Sequence, residues 1–227
     1  MDVGKIITDS AEFTRDSVWG RWVRWVQLVI STIIFPLLLG YIMEIYRGDP
    51  TPPECTNWIA RFIDGIKLIV ASFIYSIPLF IVLIITFLPV MTEFFSQIGM
   101  DGGEFDINFA AFEAYIVPVL IGILITCILG LIVFLFSTIG IIRMARMNRF
   151  MEAFNFSGIL TTIRSMGWIN YIVGLIVLYV IAMVLGVVIN LVMEVHLIGL
   201  IIGLFLWPVL TIFEARYLTL LYETSGE

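Results

Sequence analysis

Lysine is almost missing from this chain, which has only Lys5 and Lys67 among its 227 residues. Histidine occurs once, at His196, and cysteine twice, at Cys55 and Cys127. One histidine and two separated cysteines make neither a zinc pattern nor a disulfide framework. Charged residues are 13% of the chain, against roughly 25% in a soluble domain. Twelve Lys+Arg stand against eighteen Asp+Glu, a net charge of −6 with no basic tract. That balance lacks the electrostatic footprint of a nucleic-acid partner. A glycine-rich phosphate loop is also missing. These shortages leave no catalytic, cofactor-binding or metal residue to nominate. His196 reads as a polar cap in a turn. Asp101, Glu104 and Asp106 match no calcium-loop spacing and read as a solvated acidic loop.

What the chain has in excess is apolar sequence: 61% of its residues are hydrophobic, and mean hydropathy is +1.08. Disorder and a water-soluble globule are both excluded by that composition. Charges divide the chain into uncharged runs of 19 residues (Trp25–Met43), 25 (Leu68–Thr92), 29 (Ala114–Ile142), 29 (Ser165–Met193) and 19 (Val195–Phe213). About 20 apolar residues in a helix cross about 30 Å of hydrocarbon. In lipid the backbone must satisfy itself within the segment, and runs of this length do not alternate as barrel strands do. The fold predicted is therefore all-α: one integral membrane helical bundle over residues 1–227. It has four to five transmembrane helices plus cytoplasmic interfacial amphipathic helices. An amphipathic N-terminal segment occupies 1–24 and a first hydrophobic segment 25–43. Transmembrane helices follow at 68–92, 114–142, 168–193 and 195–221. The N-terminal stretch is acidic without a long apolar core, unlike a cleavable signal peptide, so insertion through the chain's own spans is expected.

Arginine and lysine fix the expected orientation. The N-terminal segment carries four, residues 44–67 three, residues 143–164 four, the C-terminal tail one, and residues 93–113 and 194 none. The three central spans put 44–67 and 143–164 on one side, so both basic loops are expected in the cytoplasm of a multi-pass plasma-membrane protein. Five full crossings leave eight cations inside and four outside. A re-entrant Trp25–Met43, turning at Pro36, places all twelve inside. A crossing helix kinked at Pro36 stays open as the alternative. Trp19, Trp22, Trp25, Trp58, Trp168 and Tyr171 fall at the same expected boundary, where amphipathic rings favour the interface.

Two kinds of site residue stand out. Arg143, Arg146, Arg149, Arg61 and Lys67 are candidate contacts for lipid phosphates, or members of an interfacial salt-bridge layer with Glu44, Asp49, Glu54 and Asp64. Gly199 with Gly203, Ala182 with Gly186, and Gly122 with Gly130 are spaced for close helix packing. The three central runs hold no ionisable residue, which weighs against a proton-coupled or charged-substrate transporter. Their polar members include Ser76, Thr86, Thr126, Ser137, Asn170 and Asn190.

Three blocks carry a resemblance. They are Leu39-Gly40-Tyr41 with Tyr46-Arg47-Gly48 and Pro52-Pro53; Asn57-Trp58 with Phe62-Ile63-Asp64-Gly65-Ile66-Lys67 and Ile74-Tyr75-Ser76-Ile77-Pro78; and Arg143-Met144-Ala145-Arg146 with Glu152-Ala153-Phe154-Asn155-Phe156 and Gly167-Trp168. From about Arg24 to Tyr222 the chain resembles domain-of-unknown-function family 4013, polytopic membrane proteins common in archaea. That family often has an acidic residue where Asn57 stands. It has no established activity, so the resemblance implies no catalytic residue. A distant similarity to membrane regions of some glycerophosphodiester phosphodiesterases implies lipid contact without an active site. The function expected is a non-enzymatic membrane module that packs against lipids, a second copy or a partner membrane protein. The alternative is a channel or transporter for a small neutral solute or lipid.

Overall fold

A computed structural model describes residues 2–97 and 112–226, apart from the side chain of His196. Asp101, Glu104, Asp106 and that side chain thus lie outside the described residues. Among the described residues the architecture is all-α. In chain order the helices are α1 (Val3–Val18), α2 (Trp22–Ile33), α3 (Phe35–Tyr46), α4 (Trp58–Gln97) and α5 (Glu113–Met147). A 3₁₀ turn (Phe150–Phe154), α6 (Phe156–Met166), α7 (Trp168–Met193) and α8 (His196–Glu223) follow. Four helices are long and apolar enough to cross a membrane: α4, α5, α7 and Leu197–Glu223 of α8. The chain is thus a helical multi-pass membrane protein.

The first hydrophobic segment is not one helix. It breaks at Ile34 (φ −95°, ψ 76°), and Pro36 occupies the first turn of α3, where its missing N–H costs nothing. Each half has 12 residues, about 18 Å of helix, well short of the hydrocarbon thickness. Pro78, Pro89, Pro118 and Pro208 lie inside continuous helices. Prolines are tolerated in spanning helices where neighbouring groups re-satisfy the backbone; beside Pro89, Thr92 donates to the Pro89 carbonyl at 2.8 Å. Residues 58–67 form no separate interfacial helix, since α4 begins at Trp58 and runs unbroken into the span. No helix breaker stands between Ile66 and Leu68, so the chain has no reason to stop there.

The described residues form two compact units, one of residues 1–71 and 138–227, the other of residues 72–137. In the larger unit α8 is the central helix, with α1, α2, α3 and α7 packed against it. Asp2 caps α1 by accepting from the Lys5 amide at 3.1 Å. The buried face of α1 carries Ser10, Thr14 and Ser17 beside Ile6, Phe13 and Val18. Each hydroxyl donates to a carbonyl four residues back, at 2.6, 2.7 and 2.8 Å. A small polar face is thereby satisfied without water. The core gathers Phe13, Leu28, Leu38, Tyr41, Ile45, Cys55 and Ile212. The smaller unit pairs segments of α4 and α5, and apolar side chains such as Ile85, Leu124 and Leu131 point outward, more than half exposed. An outward apolar surface suits lipid as solvent.

Candidate functional site

The charges cluster where the two ends of the first hydrophobic segment return to one place. Arg24, just before that segment, pairs with the Glu54 carboxylate, which Arg21 also approaches at 3.4 Å. Glu44, just after it, pairs with Arg61 at 2.6 Å. Arg61 closes the circuit by donating to the main-chain carbonyl of Glu54 at 2.7 Å and lying 5.1 Å over the Tyr41 ring. Arg24 and Arg61 are buried, at 5% and 1% exposure, so their charges require partners of this quality. Cys55 is buried among them. Burial pushes its thiol up from the ordinary range, against the nearby Arg61 and Arg24 guanidiniums, which makes a poor nucleophile at neutral pH.

Backbone proximity explains how α3 and α4 meet at this cluster. A Cβ on Gly40 would lie 1.9 Å from the Arg61 carbonyl oxygen, and one on Gly65 would lie 1.8 Å from that of Pro36. Only glycine admits such an approach. Both residues sit in the resemblance blocks, yet spacing along one helix could not reveal them, because the pair is split between two helices.

A second group ties the connections to the end of α8. Asp64 accepts from Lys67 at 2.8 Å and pairs with Arg47. Arg146 pairs with Glu223 at 2.6 Å and lies 5.1 Å over the Tyr222 ring. Its guanidinium also rests on Gly48, where φ is +93° and a Cβ would come within 2.7 Å of it. Arg216 donates to the Asp49 carbonyl at 3.0 Å and lies 4.6 Å over the Phe13 ring. Asp2, Lys5 and Asp9 share a shallow pocket with Leu220, Glu223 and Thr224. The start of α1, the 47–57 connection, the end of α5 and the end of α8 therefore meet at one end of the larger unit.

Arg143 forms a third knot. It pairs with Glu152 at 3.2 Å and donates to Thr162 Oγ1 at 2.9 Å. Glu152 also accepts from Asn155 at 3.1 Å, and Asn155 caps α6 by accepting from the Gly158 amide at 3.0 Å. The Asn155 amide, against an opposing effect of desolvation and with the help of the Arg143 guanidinium, holds the Glu152 carboxyl below the ordinary glutamate range. Of the five basic residues singled out from sequence, Arg61 and Arg143 are thus enclosed in ion pairs. Arg146 is largely covered, at 20% exposure. Lys67 is 42% exposed beside Asp64, and Arg149 is exposed.

The small residues divide similarly. A Cβ on Gly199 would lie 2.0 Å from the Val192 carbonyl oxygen, and one on Gly203 2.3 Å from the Met193 side chain. Gly122 abuts the Thr86 side chain, and Gly130 touches Leu79 at van der Waals distance. A Cβ on Gly186 would meet open space, and Ala182 is half-buried. Several polar residues of the spans donate to nearby main-chain carbonyls, all on their own helices except Asn170, whose amide reaches back to the last residue of α6. Ser76 donates to Phe73 O, Thr86 to Val82 O, Thr126 to Gly122 O, Ser137 to Phe134 O, Asn170 to Met166 O and Asn190 to Gly186 O, at 2.7 to 3.3 Å.

No curated protein and no solved structure matches the chain. A family model described as a protein of unknown function, DUF4013, matches residues 26–194. That match takes in the broken first segment, the Gly40–Gly65 crossing and the Arg61 and Arg143 knots, and the chain belongs to the DUF4013 family.

Proposed function

We propose that this protein is a non-enzymatic multi-pass module of the plasma membrane that packs against lipids or a partner membrane protein and conducts no solute. The observation that carries this reading is the use of polar groups within the spans. A path for a neutral solute needs hydroxyls and amides converging on a continuous cavity. Here those of Ser76, Thr86, Thr126, Ser137 and Asn190 donate to carbonyls of their own helices, and that of Asn170 to Met166 O at the end of α6. On the same reading the end gathering Lys5, Arg47, Arg146 and Glu223 faces the cytoplasm, and residues 25–43 enter the membrane and return. The meeting of Arg24 and Glu44 around Glu54 and Arg61 supports that return.

Stopped-flow light scattering on reconstituted vesicles, with urea and glycerol as solutes, tests the proposal. Swelling rates matching protein-free vesicles are expected. Protein-dependent, saturable flux of either solute would overturn it in favour of a channel or transporter.

A further inference from the structure

Within the larger unit a cleft of about 610 Å³ opens between α1 and α7, with α8 as its floor. Its size falls within the range of small-molecule sites, about 300–1,000 Å³. The floor is Leu206, Leu210 and Phe213, and Leu185 and Val188 form the α7 wall. Polar groups are almost lacking. The Thr14 hydroxyl is spent on the Ser10 carbonyl, and the Trp25 indole N–H donates to Phe205 O at 2.9 Å. A peptide segment laid here would have no partners for its backbone amides, whereas a hydrocarbon chain asks for none.

The rim supplies what the floor lacks. Arg15 lines the cleft and pairs with its neighbour Asp16 at 3.1 Å, with side chains 62% and 56% exposed. An exposed pair between adjacent residues is weak and yields readily to a better anion. Trp19, 75% exposed, lines the same cleft and has the amphipathic ring favoured at a headgroup boundary. The outward face of α1 carries exposed Lys5, Thr8, Glu12 and Asp16, which suits water. The α7 wall belongs to a helix long and apolar enough to span. The cleft therefore joins a wet surface to a lipid-facing one.

We infer that this cleft is a binding site for one anionic phospholipid, with an acyl chain along Leu185, Val188 and Leu210 and the phosphate at Arg15. The inference rests on the reading of the protein as a lipid-packing module. It is tested in full-length protein with Trp22, Trp58, Trp168 and Trp207 replaced by Phe, so that only Trp19 and Trp25 report. The protein is reconstituted in phosphatidylcholine vesicles containing either phosphatidylglycerol or phosphatidylcholine with brominated chains, at equal bromine density.

Brominated phosphatidylglycerol should quench with an apparent affinity about fivefold higher, the effect of one well-placed cation. Arg15→Gln should abolish that preference and Arg15→Lys should keep it. Ala11→Phe, which fills the cleft from the exposed side of α1, should reduce quenching by both lipids. Equal quenching by the two lipids, unmoved by Ala11→Phe, would overturn the inference and leave only bulk lipid. Quenching by neither lipid, with α1 crosslinking to another chain, would overturn it in favour of a second copy. Solute flux would refute the wider reading while leaving the quenching result intact, so the two failures are distinguishable.

Discussion

Arg61 shows what a single side chain decides here. Its guanidinium is 1% exposed and holds Glu44, the Glu54 carbonyl and the Tyr41 ring together. Removing one member of a buried pair costs about 3–5 kcal/mol, whereas an exposed pair contributes about 0–1 kcal/mol. Arg61→Ala should therefore lower the thermal midpoint of the purified protein far more than Lys67→Ala, which leaves Asp64 with Arg47. Circular dichroism melting in detergent checks this, and equal losses would contradict it. Glu152 makes a pH-dependent counterpart. Its folded pKa is lowered, so its contribution is complete above the unfolded glutamate value of about 4.3 and is lost as pH falls through the lower folded value. Hydrogen exchange over residues 150–158 should show this segment closed at neutral pH and opening on acidification below the unfolded glutamate value in the wild type. In Glu152→Gln the opening should be present under both conditions. The sequence exposed the arginines as candidates, but not which ones are enclosed, because burial is set by residues far away in the chain.

At the scale of elements the helices are joined by close backbone approaches. Gly65→Ala would press a methyl on the Pro36 carbonyl, and the clash is with backbone, which cannot rotate away. Overpacking of this kind costs about 1–3 kcal/mol, so a clear loss of stability is expected. The α7–α8 turn offers an internal comparison. Gly199 faces the Val192 carbonyl, whereas Gly203 faces the flexible Met193 side chain. Gly199→Ala should destabilise more than Gly203→Ala, while Gly203→Leu should disturb the α7–α8 contact outright. Gel filtration and melting of the three variants would decide, and a silent Gly199→Ala would refute the packing argument. The Gly199/Gly203 spacing is legible in sequence because both lie on one helix at four-residue separation. Gly40 and Gly65 are not legible that way, since neither has a small partner on its own helix that marks the crossing.

For the whole molecule, the decisive question is which side of the membrane the N-terminal segment occupies. Lys5 shares a pocket with Glu223, and Glu223 pairs with Arg146. Five full crossings would separate Lys5 from those residues. Single cysteines introduced at Lys5 and at Gly103, in a Cys55→Ala, Cys127→Ala background, should therefore respond oppositely to a membrane-impermeant maleimide on intact cells. Position 103 should be labelled and position 5 protected. Labelling of both from outside would make Trp25–Met43 a plain transmembrane helix. The charge count left the two topologies open, because counting cations says nothing about how a 19-residue run is folded.

Sequence alone determined that this is a helical, multi-pass membrane protein with long apolar helices. The physics there is local: an apolar run in lipid must hydrogen-bond within itself, so length and composition suffice. It also marked Pro36 as a place where a helix could break. Only the tertiary structure decided that the break separates two short helices, that Arg24 and Glu44 meet at Glu54 and Arg61, and that Gly40 and Gly65 seat α3 on α4. These depend on distances between residues tens of positions apart. A missing Cβ or a buried guanidinium acquires its meaning only when a distant segment arrives against it.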